Sequence, residues 1–162
     1  MTVSVRNARV SDAPDIAHLT AQLGYDVDAS VLGRRLTSIL ARSDQRLLVA
    51  DIDGHPVGWL HAAIFEDIET EPFVVIGGLV VDGSHRRQGI GRTLISEAEK
   101  WANEQQCSVV RLWSSVGRTK AHRFYEQLGY TNIKTQYSFA KSLRRGQDGF
   151  HAFIPRIDRE TS

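Results

Sequence analysis

The chain has 162 residues, the length of one ordinary domain, with 41% hydrophobic and 24% charged residues. A net charge of +1 leaves no electrostatic footprint for nucleic acid or a membrane surface. A single cysteine, Cys107, excludes an intramolecular disulfide and fits a reducing cytoplasm; the scattered histidines make no zinc site, and the sequence shows no leader or membrane-length apolar run, so a soluble, unexported, metal-free protein is expected.

Val3, Val5 and Ala8 read as a short opening strand. Ser11-Asp12 offers an N-cap, Pro14 suits a first helical turn, and Ile16, Leu19, Ala21 and Leu23 run to a stop at Gly24. Asp28 or Ser30 caps a second helix with Val31, Leu32, Leu36, Ile39 and Leu40 on its buried side. The period then changes. Residues 46–51 and 57–64 are short apolar runs around a hairpin turn at Asp53-Gly54. An acidic connector (Glu66, Asp67, Glu69, Glu71) ends at Pro72. Phe73 to Val81 is nearly all apolar, as a central strand would be, and Gly77-Gly78 inside it signals a bulge or a close approach. A long helix over about residues 89–105, a strand over 109–113 and a helix over 119–128 follow. The last groups Ala121, Phe124, Tyr125 and Leu128 on one face and stops at Gly129. Residues 133–143 read as one or two late strands, and 144–162 as an irregular tail. This order predicts a single mixed α/β domain over 1–143.

The turn from Asp82 to Gly91 is the chemically informative stretch. A buried strand feeds a polar turn, which feeds a helix start whose first amides lack intrahelical partners. Those amides and the helix dipole favour an anion. Gly89 and Gly91 clear the backbone of side chains, and Arg86, Arg87 and Arg92 add positive charge. A diphosphate suits this arrangement. It is neither a Walker loop, which needs Gly-Lys-Ser/Thr, nor a dinucleotide fingerprint, whose third glycine is replaced by Leu94.

Arg86-x-x-Gly89-x-Gly91 after an apolar strand resembles the acyl-CoA signature of the GNAT N-acetyltransferases. A second block agrees: Leu112-Trp113-Ser114-Ser115, then Arg118 through Tyr125-Glu126-x-x-Gly129-Tyr130. Arg6-x-Ala8-x-x-x-Asp12-x-x-x-Ile16 and Val57-Gly58 are similar to the family's N-terminal half. The resemblance spans about residues 3–143. It implies a mostly antiparallel sheet with a splayed parallel strand pair, flanked by helices, and transfer of an acetyl group from acetyl-CoA to a small-molecule amine by direct attack. It also implies that Leu79, Val80 and Val81 pair with the pantetheine arm. The amides of Arg87, Gln88, Gly89, Ile90 and Gly91 then hold the pyrophosphate, with Arg86, Arg92, Ser115 and Arg118 contributing. Ser115 stands where some relatives have asparagine.

Tyr125 matches the family's proton donor to the departing thiolate; a phenol stays protonated at neutral pH. A base is not assigned. Many relatives carry a glutamate near the positions of Gly77 or Gly78, and this strand has no carboxylate. Glu66, Glu69, Glu71, His61 or a water chain remain as candidates, and Glu69 is also a candidate contact for a cationic acceptor. Tyr25, between the first two helices, is a candidate pocket wall. The competing readings are a non-catalytic acyl-CoA-binding module, a protein N-terminal or lysine acetyltransferase, and a nucleotide-phosphate enzyme. Late strands and tail are the expected material for a homodimer.

Overall fold

The computed structural model describes residues 2–143; the expected tail, 144–162, lies outside them. The chain divides after Leu112 into two units.

The first unit is a five-stranded sheet in sequential order, with helices on both faces. β1 (Ser4–Asn7), β2 (Gln45–Ile52), β3 (His55–Phe65) and β4 (Phe73–Val81) pair antiparallel in turn. β5 (Val110–Leu112) runs parallel to β4, through Val74↔Val110, Val75↔Arg111 and Ile76↔Leu112. The expected mixed sheet with one parallel pair is therefore present.

α1 (Ala13–Ala21) and α2 (Ala29–Leu40) cover one face. They bury Ile16, Leu32 and Leu36 against Leu47 and Val49. Asp28 caps α2 by accepting from the amides of Ser30 and Val31, as its position before the apolar stripe predicts. α3 (Ile90–Glu104) covers the other face with Leu94, Ile95, Ala98 and Trp101, all essentially buried. A fully buried leucine of this kind contributes about 1.5–3 kcal/mol by leaving water.

Arg6 ties the start of the chain to the sheet. Its guanidinium donates to both oxygens of Asp12, at 2.8 and 2.9 Å, and to Asp51 Oδ2 at 2.7 and 3.0 Å. Ser11-Asp12 is the expected N-cap of α1, and Asp12 takes that position, though its side chain makes no bond to the helix. It instead accepts from Arg9 N and Arg6, because a buried carboxylate needs a cation more than a helix end needs a cap.

The second unit contains α4 (Thr119–Gln127), closed by Gly129 in the left-handed region at φ 92°. Ala121, Phe124, Tyr125 and Leu128 share its half-buried side. The late strands expected over 133–143 do not form: no residue there is in a strand, and Ile133, Tyr137, Phe139 and Leu143 are exposed. Apolar alternation makes a strand only where a neighbouring edge takes up its hydrogen bonds, and among the described residues none pairs with this segment.

Candidate functional site

β4 changes character at a bulge. Below it, Val74 N donates to Val109 O, so even-numbered amides face β5. Above it, Asp82 N donates to Val57 O, so even-numbered amides face β3. The reversal occurs where the register shifts between His61 and Ala62, leaving Gly77 as the extra residue opposite them. In an antiparallel ladder the outward residues alternate. Leu79 and Val81 therefore point their backbone groups away from β3, towards an edge with no ladder partner among the described residues beyond Ile76. Val80 turns inward, its carbonyl 2.9 Å from where a Cβ on Gly58 would stand, and its side chain is buried. The Arg86 side chain reaches Val81 O at 3.4 Å.

This open edge leads into the glycine turn. Gly89 is the N-cap of α3 in the left-handed region, φ 80°, with open space where a Cβ would be. Arg87 is also left-handed, φ 63°, an uncommon conformation for a side-chain-bearing residue that clusters at ligand-holding turns. Arg86, Arg87, Gln88, Gly89 and Arg92 are exposed, while Ile90 anchors the helix start in the core. The first amides of α3, which lack intrahelical partners, are thus flanked in sequence by three exposed arginines.

The preceding turn is fixed by Asp82. Its carboxylate accepts from the Ser84 hydroxyl, from Gln22 Nε2 at 2.7 Å and from His85 Nδ1 at 3.0 Å. These bonds, the one from Ser84 foremost, hold the carboxyl far below the usual carboxylate range. Gly83 N returns a bond to Gln22 Oε1 at 3.0 Å, so the residue ending α1 clamps the loop from both sides. Gln22 was not singled out from sequence; its separation of 60 residues from Asp82 hides the pairing.

On the α1–α2 face of the sheet, Trp59 lies over Gly78, with ring carbons 2.7 Å from the position a Cβ would take. His61 Nε2 pairs with Gln45 Oε1 at 2.7 Å. Its Nδ1 is 3.8 Å from the Cβ position of Gly77. Burial holds the His61 imidazole below its ordinary pKa. Tyr25 is half-buried between α1 and α2. Glu69 is exposed in the connector, where its amide donates to Asp67.

In the second unit, Tyr125 is half-buried, its ring tilted by 58° to that of Phe124 at 5.3 Å and edge-on at 6.1 Å to Tyr130. Burial raises its phenol above the ordinary value, against a smaller opposing effect of Arg118. Arg118 is the N-cap of α4, and its amide donates to Ser115 O. His122 Nε2 pairs with the same carbonyl at 3.0 Å. Ser115 thus serves α4 through its backbone while its side chain is exposed.

The acetyltransferase (GNAT) family model matches residues 14–130, and the chain belongs to that family. It is an acyltransferase. An aminoglycoside N(6')-acetyltransferase type 1 of Acinetobacter haemolyticus is 27% identical over 145 residues, 87% of this chain and 99% of that protein. A putative acetyltransferase from Agrobacterium tumefaciens superposes with a TM-score of 0.77 at 25% identity, covering 85% of this chain and 99% of its own. AAC(6')-Iy in complex with the bisubstrate analogue CoA-S-monomethyl-acetylneamine shares the fold, with a TM-score of 0.79 at 20% identity, covering 88% of this chain and 99% of its own.

Proposed function

We propose that this chain transfers an acetyl group from acetyl-CoA to a primary amine on a small, cationic acceptor of the amino-sugar kind. The observation that carries the reading is the continuous path from the outward backbone of Leu79 and Val81 to the glycine-turned start of α3. An extended pantetheine arm adds to the open edge as a strand would, and the pyrophosphate meets the amides of Arg87 to Gly91 with Arg86 and Arg92 alongside. Ser115 and Arg118 are further cofactor contacts in this reading, and Tyr125 protonates the departing thiolate. Its raised pKa keeps that proton in place at neutral pH.

The acceptor class rests on two supports. The aminoglycoside-modifying relative matches nearly end to end. The exposed connector also gathers Glu66, Asp67, Glu69 and Glu71 in six residues, a field that draws a polyamine. Glu69 and Tyr25 are the acceptor contacts proposed. The buried, unbridged Cys107 accords with a cytoplasmic setting. Residues 1–143 act as one acetyl-CoA-binding domain in this reading, and a homodimer follows the commonest symmetry.

The test is release of CoA thiol from acetyl-CoA across a panel of amines that includes neamine-type amino sugars and peptide N-termini. Amine-dependent release, strongest with the amino sugars, is expected. Acetyl-CoA binding with no release for any amine would leave a binding module instead. Thermal protection by ATP or NAD but not by acetyl-CoA would overturn the cofactor.

A further inference from the structure

A neutral amine must form before attack, so some group has to accept a proton near the thioester. β4 carries no carboxylate. The connector acids precede Phe73, and Phe73 is four residues from Gly77, on the order of 13 Å along the strand at about 3.3 Å per residue. From the other direction, Gly77 lies four residues beyond Val81, the same distance up the open edge from the phosphate turn. An arm laid along that edge ends at the bulge.

One ring nitrogen of the half-buried His61 lies beside the bulge. Gln45 Oε1 can only accept, so with the amide in this orientation His61 Nε2 carries the proton and Nδ1 the lone pair. Nδ1 is the nearest atom to where a side chain on Gly77 would begin, at 3.8 Å, and Gly77 is itself exposed. A side chain at 77 would begin in van der Waals contact with that nitrogen. Three features therefore converge: a ring fixed in one tautomer, a missing side chain next to its free nitrogen, and an open strand edge ending beside it.

We propose that His61 is the general base, its Nδ1 taking the proton of the acceptor amine at the Gly77 bulge, and that Gln45 is the residue positioning it. The proposal rests on the acetyltransferase reading above. The amine nitrogen's lone pair forms the bond to the thioester carbonyl carbon. The C–S bond breaks and its electron pair leaves on the CoA sulfur, which is protonated to the thiol. The N–H proton passes to Nδ1, and the imidazolium returns it to solvent. Burial, with no charged neighbour contributing, keeps the ring neutral and ready to accept near pH 7.

The experiment compares wild type with His61→Gln, His61→Ala and Gln45→Leu in the thiol-release assay, alongside acetyl-CoA binding and melting temperature. His61→Gln should lower kcat by about 10²–10⁴-fold with acetyl-CoA affinity intact, the usual range for a general base. Added imidazole should restore part of the activity of His61→Ala. Gln45→Leu should lower kcat several-fold while leaving the KM for acetyl-CoA unchanged. In ¹⁵N-histidine spectra of the wild type, His61 should be neutral with its proton on Nε2 at pH 7, and Gln45→Leu should mix the tautomers. Wild-type turnover with His61→Gln within threefold of it would overturn the assignment alone. So would a His61 protonated on Nδ1 at pH 7, whether or not the variants fold. A wild type that binds acetyl-CoA but acetylates no amine would overturn the acetyltransferase reading, and this one with it.

Discussion

Tyr125 is the residue on which the proton-donor assignment stands. It is half-buried on α4 with a raised pKa, and its hydroxyl is the only part that Phe lacks. Tyr125→Phe keeps the packing against Phe124 and Tyr130, so the melting temperature should hold within a degree or two. The kcat should fall by about 10²-fold, at the low end for general acid catalysis because a thiolate is a good leaving group. Equal losses in binding and turnover would mean the phenol packs rather than donates. Gly78 makes a different point. A methyl there would stand 2.7 Å from two carbons of the Trp59 ring, inside any real contact distance. Gly78→Ala should therefore push the indole aside and cost about 1–3 kcal/mol, the range for overpacking a filled site, read as a lower denaturation midpoint. If Gly78→Ala melts like the wild type, the ring is freer than its packing indicates.

At the scale of elements, the β4–α3 turn joins two demands in a few residues. Gly89 must be left-handed for the helix to start where Ile90 can be buried, and an L side chain there costs about 1–2 kcal/mol. Gly89→Ala is expected to lose that stability and also to weaken acetyl-CoA binding by tenfold or more in calorimetry, since the amides tilt with the turn. The strand–turn–helix sense of this region was readable from sequence, because a continuous apolar run, a polar turn and glycines before a 3.6-residue period each leave a local mark. The neighbouring hairpin shows where such reading ends. Asp53-Gly54 fixes Ile52↔His55, and a ladder counted out from that turn would put His61 opposite Arg46. The register slips by one between Ala50 and Asp51, next to Pro56, which has no amide to donate. His61 therefore faces Leu47 and shares its face with Gln45. One bulge decides whether the histidine meets an amide or a guanidinium, and no local motif announces it. The Gln22–Asp82 clamp escaped for the same reason: it joins elements far apart in sequence. The late strands failed in the opposite direction, with a local pattern present and no edge to receive it.

Across the first unit as a whole, the Arg6–Asp12–Asp51 cluster holds the first strand, the start of α1 and the central hairpin together. Both carboxylates are nearly excluded from water. Burial by itself would raise the Asp12 pKa, and the hydrogen bonds from Arg6 and Arg9 more than offset it, so the net shift is downward. A group whose pKa is lower in the folded state lends stability above its unfolded value of about 4 and loses it as pH falls through the folded value. Arg6 is shifted upward and stays charged throughout, so the acid limb belongs to the carboxylate. The melting temperature should accordingly be flat in this contribution from pH 7 down to about pH 4 and drop below it. Asp12→Asn should be less stable at pH 7 and should converge on the wild type as the wild-type carboxylate protonates. Arg6→Ala should be worse than Asp12→Asn, because it strands two buried acids at once, a loss approaching about 3 kcal/mol at neutral pH. Raising the acidity should narrow that deficit, since a protonated Asp12 no longer needs the cation. An Arg6→Ala deficit that stayed constant from pH 7 to pH 3 would show that the arginine acts through packing alone, and the electrostatic account of how this end of the sheet is joined would fall.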